Sequence, residues 1–271
     1  MKSHMYLYHP LFYITTGLFL FFTGWWMVDI YSGAIGSGTS IIPSVYAIVA
    51  LIAALYGTFV IAPQWGGRKS VLGKAILFFS LGLFLQFFGQ VAYSFYVYVL
   101  HIEIPYPSLG DIGYFGTIPA YCLGVLYIAK ASGIKITFQN YTSKIAAFVI
   151  PVVMVLFGYM LLLRGYEFDW STPLRIFLDF GYPLGDAIYI SLTLTTMLLT
   201  KNVLGGIMRK RILYILFALC LQFFTDYMFL FLVKQGWWNV GGVSDYLYLL
   251  TYVAFCYVFS YLSTTAVRLS T

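Results

Sequence analysis

The sequence predicts an all-helical, polytopic integral membrane protein whose eight transmembrane helices form four repeated hairpins. Hydrophobic residues make up 61% of the 271 residues and charged residues only 9%, whereas soluble domains carry about 25% charged residues. Apolar runs of about 20 residues, the length needed to cross a bilayer, recur along the whole chain. Related short motifs return at the starts of several of these runs.

Eight apolar segments are predicted to span the membrane. The first, 11–31, is long for a signal peptide and ends without a small-residue cleavage site, which favours a retained helix. The sixth is interrupted by Pro183, so a short interfacial helix is expected at 172–181, followed by the span. The predicted spans are 11–31, 40–62, 71–100, 108–131, 144–165, 183–200, 211–235 and 245–267, in four hairpins at 11–62, 71–131, 144–200 and 211–267.

Basic residues are distributed unevenly between the predicted loops. Of fifteen lysines and arginines, only Arg164, Arg175 and Lys234 fall on one side, which leaves twelve on the other. The positive-inside rule then places both chain ends in the cytoplasm and the protein in the cell membrane. All nine acidic residues fall on the external side. The net charge of +6 therefore reflects topology and does not indicate nucleic-acid binding.

An Asp-x-x-Tyr unit occurs at the predicted start of three helices. The three units are Asp111 with Tyr114, Asp186 with Tyr189, and Asp245 with Tyr248. A carboxylate in the first turn complements the helix dipole, and the tyrosine lies on the same helix face. Ser108 would complete a capping box with Asp111, Pro183 suits a first helical turn, and Ser244 could cap before Asp245. Each carboxylate is thus predicted to cap the external N-terminus of an ingoing helix.

Polar side chains also occur deep inside two apolar runs. LQFFGQ at 85–90 matches LQFFTD at 221–226, so Gln90 and Asp226 hold equivalent positions in the predicted repeat. An aspartate at the bilayer centre costs about 2.5–3.5 kcal/mol on insertion scales, and such residues usually face the bundle interior. Two interpretations stay open. These residues either hold the bundle together by inter-helix hydrogen bonds or line a shared polar pocket.

The stretch PYPSLGDIGYFG at 105–116 resembles the multi-helix membrane sensor regions of bacterial signalling proteins. Those regions precede diguanylate cyclase or histidine kinase domains and typically carry Tyr-Pro-Ser-x-x-Asp followed by apolar and aromatic residues. The resemblance is weaker at 182–189 and slight at 243–248. It implies a sensor module that acts with a signalling partner. Only four residues follow the last predicted span, so no output domain is expected in this chain.

The candidate ligand-binding residues are acids, tyrosines and one amide near the external face. We predict that at least Asp111 and Asp186 turn inward, and that they rim one outward-facing pocket together with Tyr114, Tyr189 and Asp226. Converging acids in an aromatic wall favour a bound cation or protons shared between the acids. The full set is Gln90, Asp111, Tyr114, Asp186, Tyr189, Asp226, Asp245 and Tyr248. The sequence indicates no catalytic constellation, metal-ligand cluster or particular cofactor.

Three classes of function are compatible with these features. A sensor or receptor module would bind a small ligand in the outer half and pass a helix shift to a partner, and a cation or a cationic amphiphile would suit the charge of this region. A transporter or channel needs polar groups through both leaflets, whereas the inner halves of these helices carry no acids. An enzyme acting on lipid would need an acid–base constellation that is not recognisable. The sensor hypothesis is therefore favoured, with a small transporter or channel as the alternative.

Overall fold

The computed structural model describes residues 10–263, apart from 36, 38, 134–140 and 204–205. Within these residues the regular secondary structure is entirely helical. We label the eight long helical segments α1 to α8. They are α1 Pro10–Ser32, α2 Ile42–Gln64, α3 Val71–Val99, α4 Leu109–Ala131, α5 Tyr141–Gly158 with its π-helical extension Tyr159–Leu163, α6 Pro173–Val203, α7 Gly206–Gln235 and α8 Val243–Leu262.

Seven of these segments, all except α6, contain a stretch that is long and apolar enough to cross a membrane. The protein is therefore a helical bundle suited to a lipid bilayer. Apart from the sixth, the predicted spans and the observed helices begin and end within about five residues of one another where the structure describes them. Residues 264–267, the end of the eighth predicted span, and both chain ends lie outside the described residues.

The prediction for the sixth segment is wrong in one respect. A short helix at 172–181 was expected to end before Pro183, but α6 is one continuous helix of 31 residues with Pro183 inside it. Packing on both sides of the proline holds the helix together. Gly181 and Gly185 bring α6 close to α4, against Phe115 and Ile118 respectively. Such close approach of helices at small residues is common in membranes.

Six helices form a closed ring. Their order is α2, α3, α4, α6, α7 and α8, and α8 packs against α2 to close it. The other two lie outside, α1 against α8 and α5 against α6. Burial agrees with this arrangement, because 17% of the apolar stretch of α1 and 11% of that of α5 are buried, against 50% in α2, α3 and α4.

The backbones of α3 and α4 touch in this ring. A Cβ atom at Gly113 would lie 2.5 Å from the Leu85 carbonyl oxygen and 2.7 Å from the Gly89 nitrogen. The Thr117 hydroxyl donates across the interface to the Gly82 carbonyl at 3.3 Å. Glycine is thus required at position 113 by close approach, and the two helices form one rigid wall of the ring.

The two ends of the bundle differ in charge. We call the end with the loops 33–41, 100–108, 164–172 and 236–242 the acidic end, and the end with the loop 65–70 the basic end. All nine acidic residues lie at the acidic end or in the halves of the helices nearest to it. Hydrogen bonds tie its loops together, including Trp26 Nε1 to the Gly241 carbonyl at 2.9 Å. At the basic end the Arg211 guanidinium lies over the rings of Trp65 and Tyr261.

Candidate functional site

Asp111 caps α4, as predicted. Its Oδ2 atom accepts the Ser108 backbone N–H at 2.7 Å, and Ser108 with Asp111 forms a capping box. Its Oδ1 atom accepts the Tyr182 hydroxyl of α6 at 2.7 Å. The carboxylate is half-buried and joins the start of α4 to α6. Both of its oxygens therefore already have partners within the protein.

Asp245 has a comparable role at the start of α8. Its Oδ2 atom accepts the Gly241 N–H at 2.8 Å, and its Oδ1 atom accepts the Tyr46 hydroxyl of α2 at 3.1 Å. The predicted cap at Ser244 is wrong, because α8 begins after Gly242 and Ser244 lies within its first turn. The Ser244 hydroxyl has no hydrogen-bond partner among the described residues.

Asp186 differs from the other two aspartates. It lies thirteen residues after Pro173, well inside α6, so the prediction that it caps a helix is wrong. The side chain is only 3% exposed. No hydrogen bond from the described residues reaches its carboxyl group, which lies within electrostatic range of Asp226 on the neighbouring α7. Asp186 thus turns inward, as predicted, but its carboxyl group accepts no hydrogen bond from the described residues.

Asp226 accepts three hydrogen bonds from three helices. Its Oδ1 atom accepts Gln222 Nε2 and the Tyr248 hydroxyl, each at 2.9 Å. Its Oδ2 atom accepts the Tyr189 hydroxyl at 3.2 Å. Four of the predicted site residues, on α6, α7 and α8, therefore meet here. We call the group formed by Asp186, Tyr189, Gln222, Asp226 and Tyr248 the acid–tyrosine centre.

The remaining predicted residues form a separate pair on the other side of the ring. The Tyr114 hydroxyl of α4 donates to Gln90 Oε1 of α3 at 3.0 Å. Among the described residues, no hydrogen bond joins this pair, Asp111 or Asp245 to the acid–tyrosine centre. The predicted set is thus divided between one buried centre and three anchoring contacts around it.

Residues outside the predicted set complete the interior. Tyr121 of α4 is fully buried, stacks on Phe255 of α8 and meets Tyr189 edge to face. Tyr252 of α8 donates to Gln86 Oε1 at 3.2 Å. Helical spacing could have identified both tyrosines, because Tyr121 lies seven residues after Tyr114 and Tyr252 four residues after Tyr248, on the same helix faces. No sequence signal indicates that Tyr46 and Tyr182 would bind the other aspartates.

A cleft of about 500 Å³ opens at the acidic end between the α5–α6 loop, α6 and the end of α7. All three basic residues of this end, Arg164, Arg175 and Lys234, line it. Arg175 forms an ion pair with Asp179 here, at 3.8 Å. Asp179 also accepts the Tyr166 hydroxyl at 2.7 Å, and this hydrogen bond raises the pKa of Tyr166.

The described residues contain no group of three or more histidine, cysteine, aspartate or glutamate side chains that could hold a metal ion. The three cysteines, Cys122, Cys220 and Cys256, are free thiols. No protein-family model, no curated protein and no solved structure matches this chain.

Proposed function

We propose that the protein is an integral membrane sensor or receptor-like module, which binds a small cationic ligand at the acid–tyrosine centre and signals through a partner protein. One observation carries this proposal. Asp186 is buried beside Asp226, has no hydrogen-bond donor among the described residues and belongs to a membrane helix bundle. Burial of an unpaired carboxylate is costly, so such a group normally has a counter-charge.

The part of the chain that the structure describes supplies no counter-charge at this place. The one ion pair among the described residues joins Arg175 and Asp179, at the acidic end. Three hydrogen-bond donors offset the cost of burying the Asp226 carboxylate. Asp186 has no such donor among the described residues. A positively charged ligand would neutralise this residual charge, and the surrounding tyrosine rings favour cations further.

The shape of the ring interior favours a receptor over a channel. Towards the basic end, the interior is filled by fully buried aromatic side chains such as Phe79, Phe255 and Phe259. A conducting pathway would need polar groups along its whole length. The resemblance of 105–116 to bacterial membrane sensor regions supports the same choice, and this segment includes Asp111, which joins α4 to α6.

The proposal includes a topology of eight spans, in which α6 crosses the bilayer with the other seven helices. The basic end faces the cytoplasm, since basic loops are retained on that side. Cysteine labelling in intact cells tests this topology. A cysteine at position 167 should react with a membrane-impermeant reagent and one at position 69 should not, while the opposite pattern would refute the proposed orientation.

The proposed signal is a change in the packing of α6 against α7. Two like charges on neighbouring helices repel each other, and neutralisation by a ligand removes this repulsion. The helices then pack more closely, and a shift of one or two ångströms is typical of membrane and interface switches. A partner protein would read this shift at the basic end.

A conformational reporter provides the test. A fluorophore on a cysteine introduced at position 69 should change its emission when small cations are added to protein in nanodiscs. Asp226→Asn should abolish the change, while Asp111→Asn, which alters a carboxylate outside the centre, should preserve it. An emission change that is equally large in the Asp226→Asn variant would show that the centre does not bind the ligand.

A further inference from the structure

Three buried oxygen-bearing groups near Asp226 have no hydrogen-bond partner within the described ranges. Gln222 is fully buried and donates its Nε2 to Asp226, yet no donor reaches its Oε1 atom. The hydroxyl of the fully buried Tyr121 is also without a partner among the described residues, and it lies within electrostatic range of Asp226. The Asp186 carboxyl is the third such group.

This concentration of unpaired groups is unusual. Buried polar side-chain atoms are hydrogen-bonded in the large majority of cases, and each exception requires an explanation. Here three exceptions come from three different helices, α4, α6 and α7, and each residue lies within hydrogen-bonding or electrostatic range of Asp226. A single bound species among them would explain all three. Each group offers an oxygen acceptor, and the Asp186 carboxyl adds a negative charge, so an oxygen-seeking cation fits all three, whereas a water molecule would satisfy the oxygens without supplying the charge.

We propose that the acid–tyrosine centre binds one monovalent inorganic cation of the sodium class, held by Asp186, Asp226, the Gln222 Oε1 atom and the Tyr121 hydroxyl. This inference rests on the proposed function for its site and names the class of ligand. The cation supplies the charge that Asp186 lacks. The cation also contacts several oxygens at once. A proton binds one acceptor at a time and would leave the other oxygens unsatisfied.

Other cations fit the centre less well. Tyr189, Tyr252 and Phe255 around it are each at most 2% exposed, and such a closely packed wall favours a small inorganic cation over a bulky organic one. Calcium takes six to eight oxygen ligands, and magnesium keeps several of its waters. Zinc prefers nitrogen and sulfur ligands in sets of three or four, and the described residues provide no such group.

Protons compete with the cation, because both neutralise a carboxylate. The titratable groups that face Asp186 are Cys122 of α4, Tyr189 of its own helix, Asp226 and Tyr227 of α7, and Tyr248 of α8. None of these carries a positive charge. Binding of the cation should therefore weaken as the pH falls and the two carboxyl groups become protonated.

The test uses the full chain in nanodiscs and sodium chloride itself as the probe. Thermal unfolding is measured against increasing sodium chloride, with N-methylglucamine chloride added to keep the ionic strength constant. The unfolding temperature should rise with the sodium concentration and then level off as the site becomes saturated. At a sodium concentration 100 times its Kd, the unfolding equilibrium should shift by about 100-fold.

Two conservative variants and one control make the result specific. Asp186→Asn and Asp226→Asn should abolish the sodium dependence, and Tyr121→Phe should weaken it about tenfold by removal of one ligand. Asp111→Asn should respond as the unchanged protein does, since Asp111 bonds to Ser108 and Tyr182 outside the centre. Size-exclusion profiles confirm that each variant is folded.

Each alternative outcome has a distinct meaning. An identical response to both salts, or a sodium response that persists in Asp186→Asn, would overturn the inference. Stability that depends on pH but not on sodium would show that the two carboxyl groups share a proton instead. Binding of an organic cation without sodium binding would overturn the inference but keep the proposed function. Sodium binding without any change in the reporter at position 69 would keep the inference and refute the signalling proposal.

Discussion

The α3–α4 and α7–α8 hairpins make the same contact with different chemistry. In α3–α4 the Tyr114 hydroxyl donates to the Gln90 amide oxygen at 3.0 Å, and in α7–α8 the Tyr248 hydroxyl donates to the Asp226 carboxylate at 2.9 Å. In both hairpins the tyrosine follows a first-turn aspartate by three residues. Equivalent contacts of this kind are what the predicted hairpin repeat requires, and superposition of the two hairpins is its direct test.

The difference between the two hairpins is one of charge. An amide serves as the acceptor for Tyr114, so hydrogen bonding alone does not require a carboxylate opposite Tyr248. A carboxylate at this depth in a membrane costs about 2.5–3.5 kcal/mol on insertion scales. Asp226 is also the position that lies beside a second buried carboxyl, Asp186. On the proposed function, the charge of Asp226 serves ligand binding, whereas its three hydrogen bonds serve folding.

Substitutions at Gln90 and Asp226 should show the largest difference in the free energy of unfolding. Gln90→Asp places a carboxylate at a position that is 7% exposed, and it should lower the free energy of unfolding by about 3 kcal/mol. Asp226→Asn should change it by about 1 kcal/mol or less, because the amide oxygen still accepts the tyrosine hydroxyl. Reversible unfolding in mixed micelles measures both values. Equal destabilisation by the two variants would contradict the proposed division between folding and binding.

A methyl group at the glycine contact should have the next largest effect. Gly113→Ala forces the α3 and α4 backbones apart and should cost about 2 kcal/mol, since a Cβ there meets backbone atoms that cannot move away. The control is Gly116→Ala on the same helix, whose Cβ would meet only the flexible end of Leu85 at 3.3 Å. The same unfolding assay should show a loss below about 0.5 kcal/mol for the control. A comparable loss in both variants would mean that α3 and α4 can separate.

The two first-turn aspartates should differ in their dependence on their tyrosine partners. Tyr46→Phe leaves the buried Asp245 with only the Gly241 N–H, so it should cost about 2 kcal/mol. Tyr182→Phe should cost about half as much, because the half-buried Asp111 keeps its bonds to Ser108. Both values come from unfolding at neutral pH. The reverse order would show that Asp111, rather than Asp245, depends on its tyrosine.

The smallest effects should come from the threonines that lie three residues after Tyr114 and Tyr248, in the first and third Asp-x-x-Tyr units. Thr251→Val removes a hydroxyl contact with Thr225 at 3.1 Å in α7–α8, and Thr117→Val removes one with the Gly82 carbonyl at 3.3 Å in α3–α4. Each should cost about 0.6 kcal/mol, the average for polar contacts between membrane helices. A loss above about 2 kcal/mol for one variant alone would show that the two hairpins are not held together in the same way.

The sequence predicts those features that depend on local chemistry. Apolar run length predicts the helices, because a bilayer imposes a minimum length on every span. The cap at Asp111 follows from a serine three residues earlier in the chain. The inward orientation of Asp186 follows from the cost of a carboxylate in lipid.

Features that depend on distant contacts could not be predicted in this way. The continuation of α6 through Pro183 depends on the packing of Gly181 and Gly185 against α4. Because α6 starts so early, Asp186 lies in its interior instead of at a cap. The bond between Asp245 and Tyr46 joins residues 199 positions apart, and no local pattern encodes such a pairing.

The length of α6 has a mechanical consequence. A continuous helix of 31 residues is about 46 Å long, whereas the hydrocarbon core of a bilayer is about 30 Å thick. Tyr106 and Tyr166 hold Asp179 near one end of this helix. With α6 spanning the bilayer, as proposed, a thinner bilayer would increase the tilt of such a long helix. Membrane thickness would then change the distance between Asp186 and Asp226.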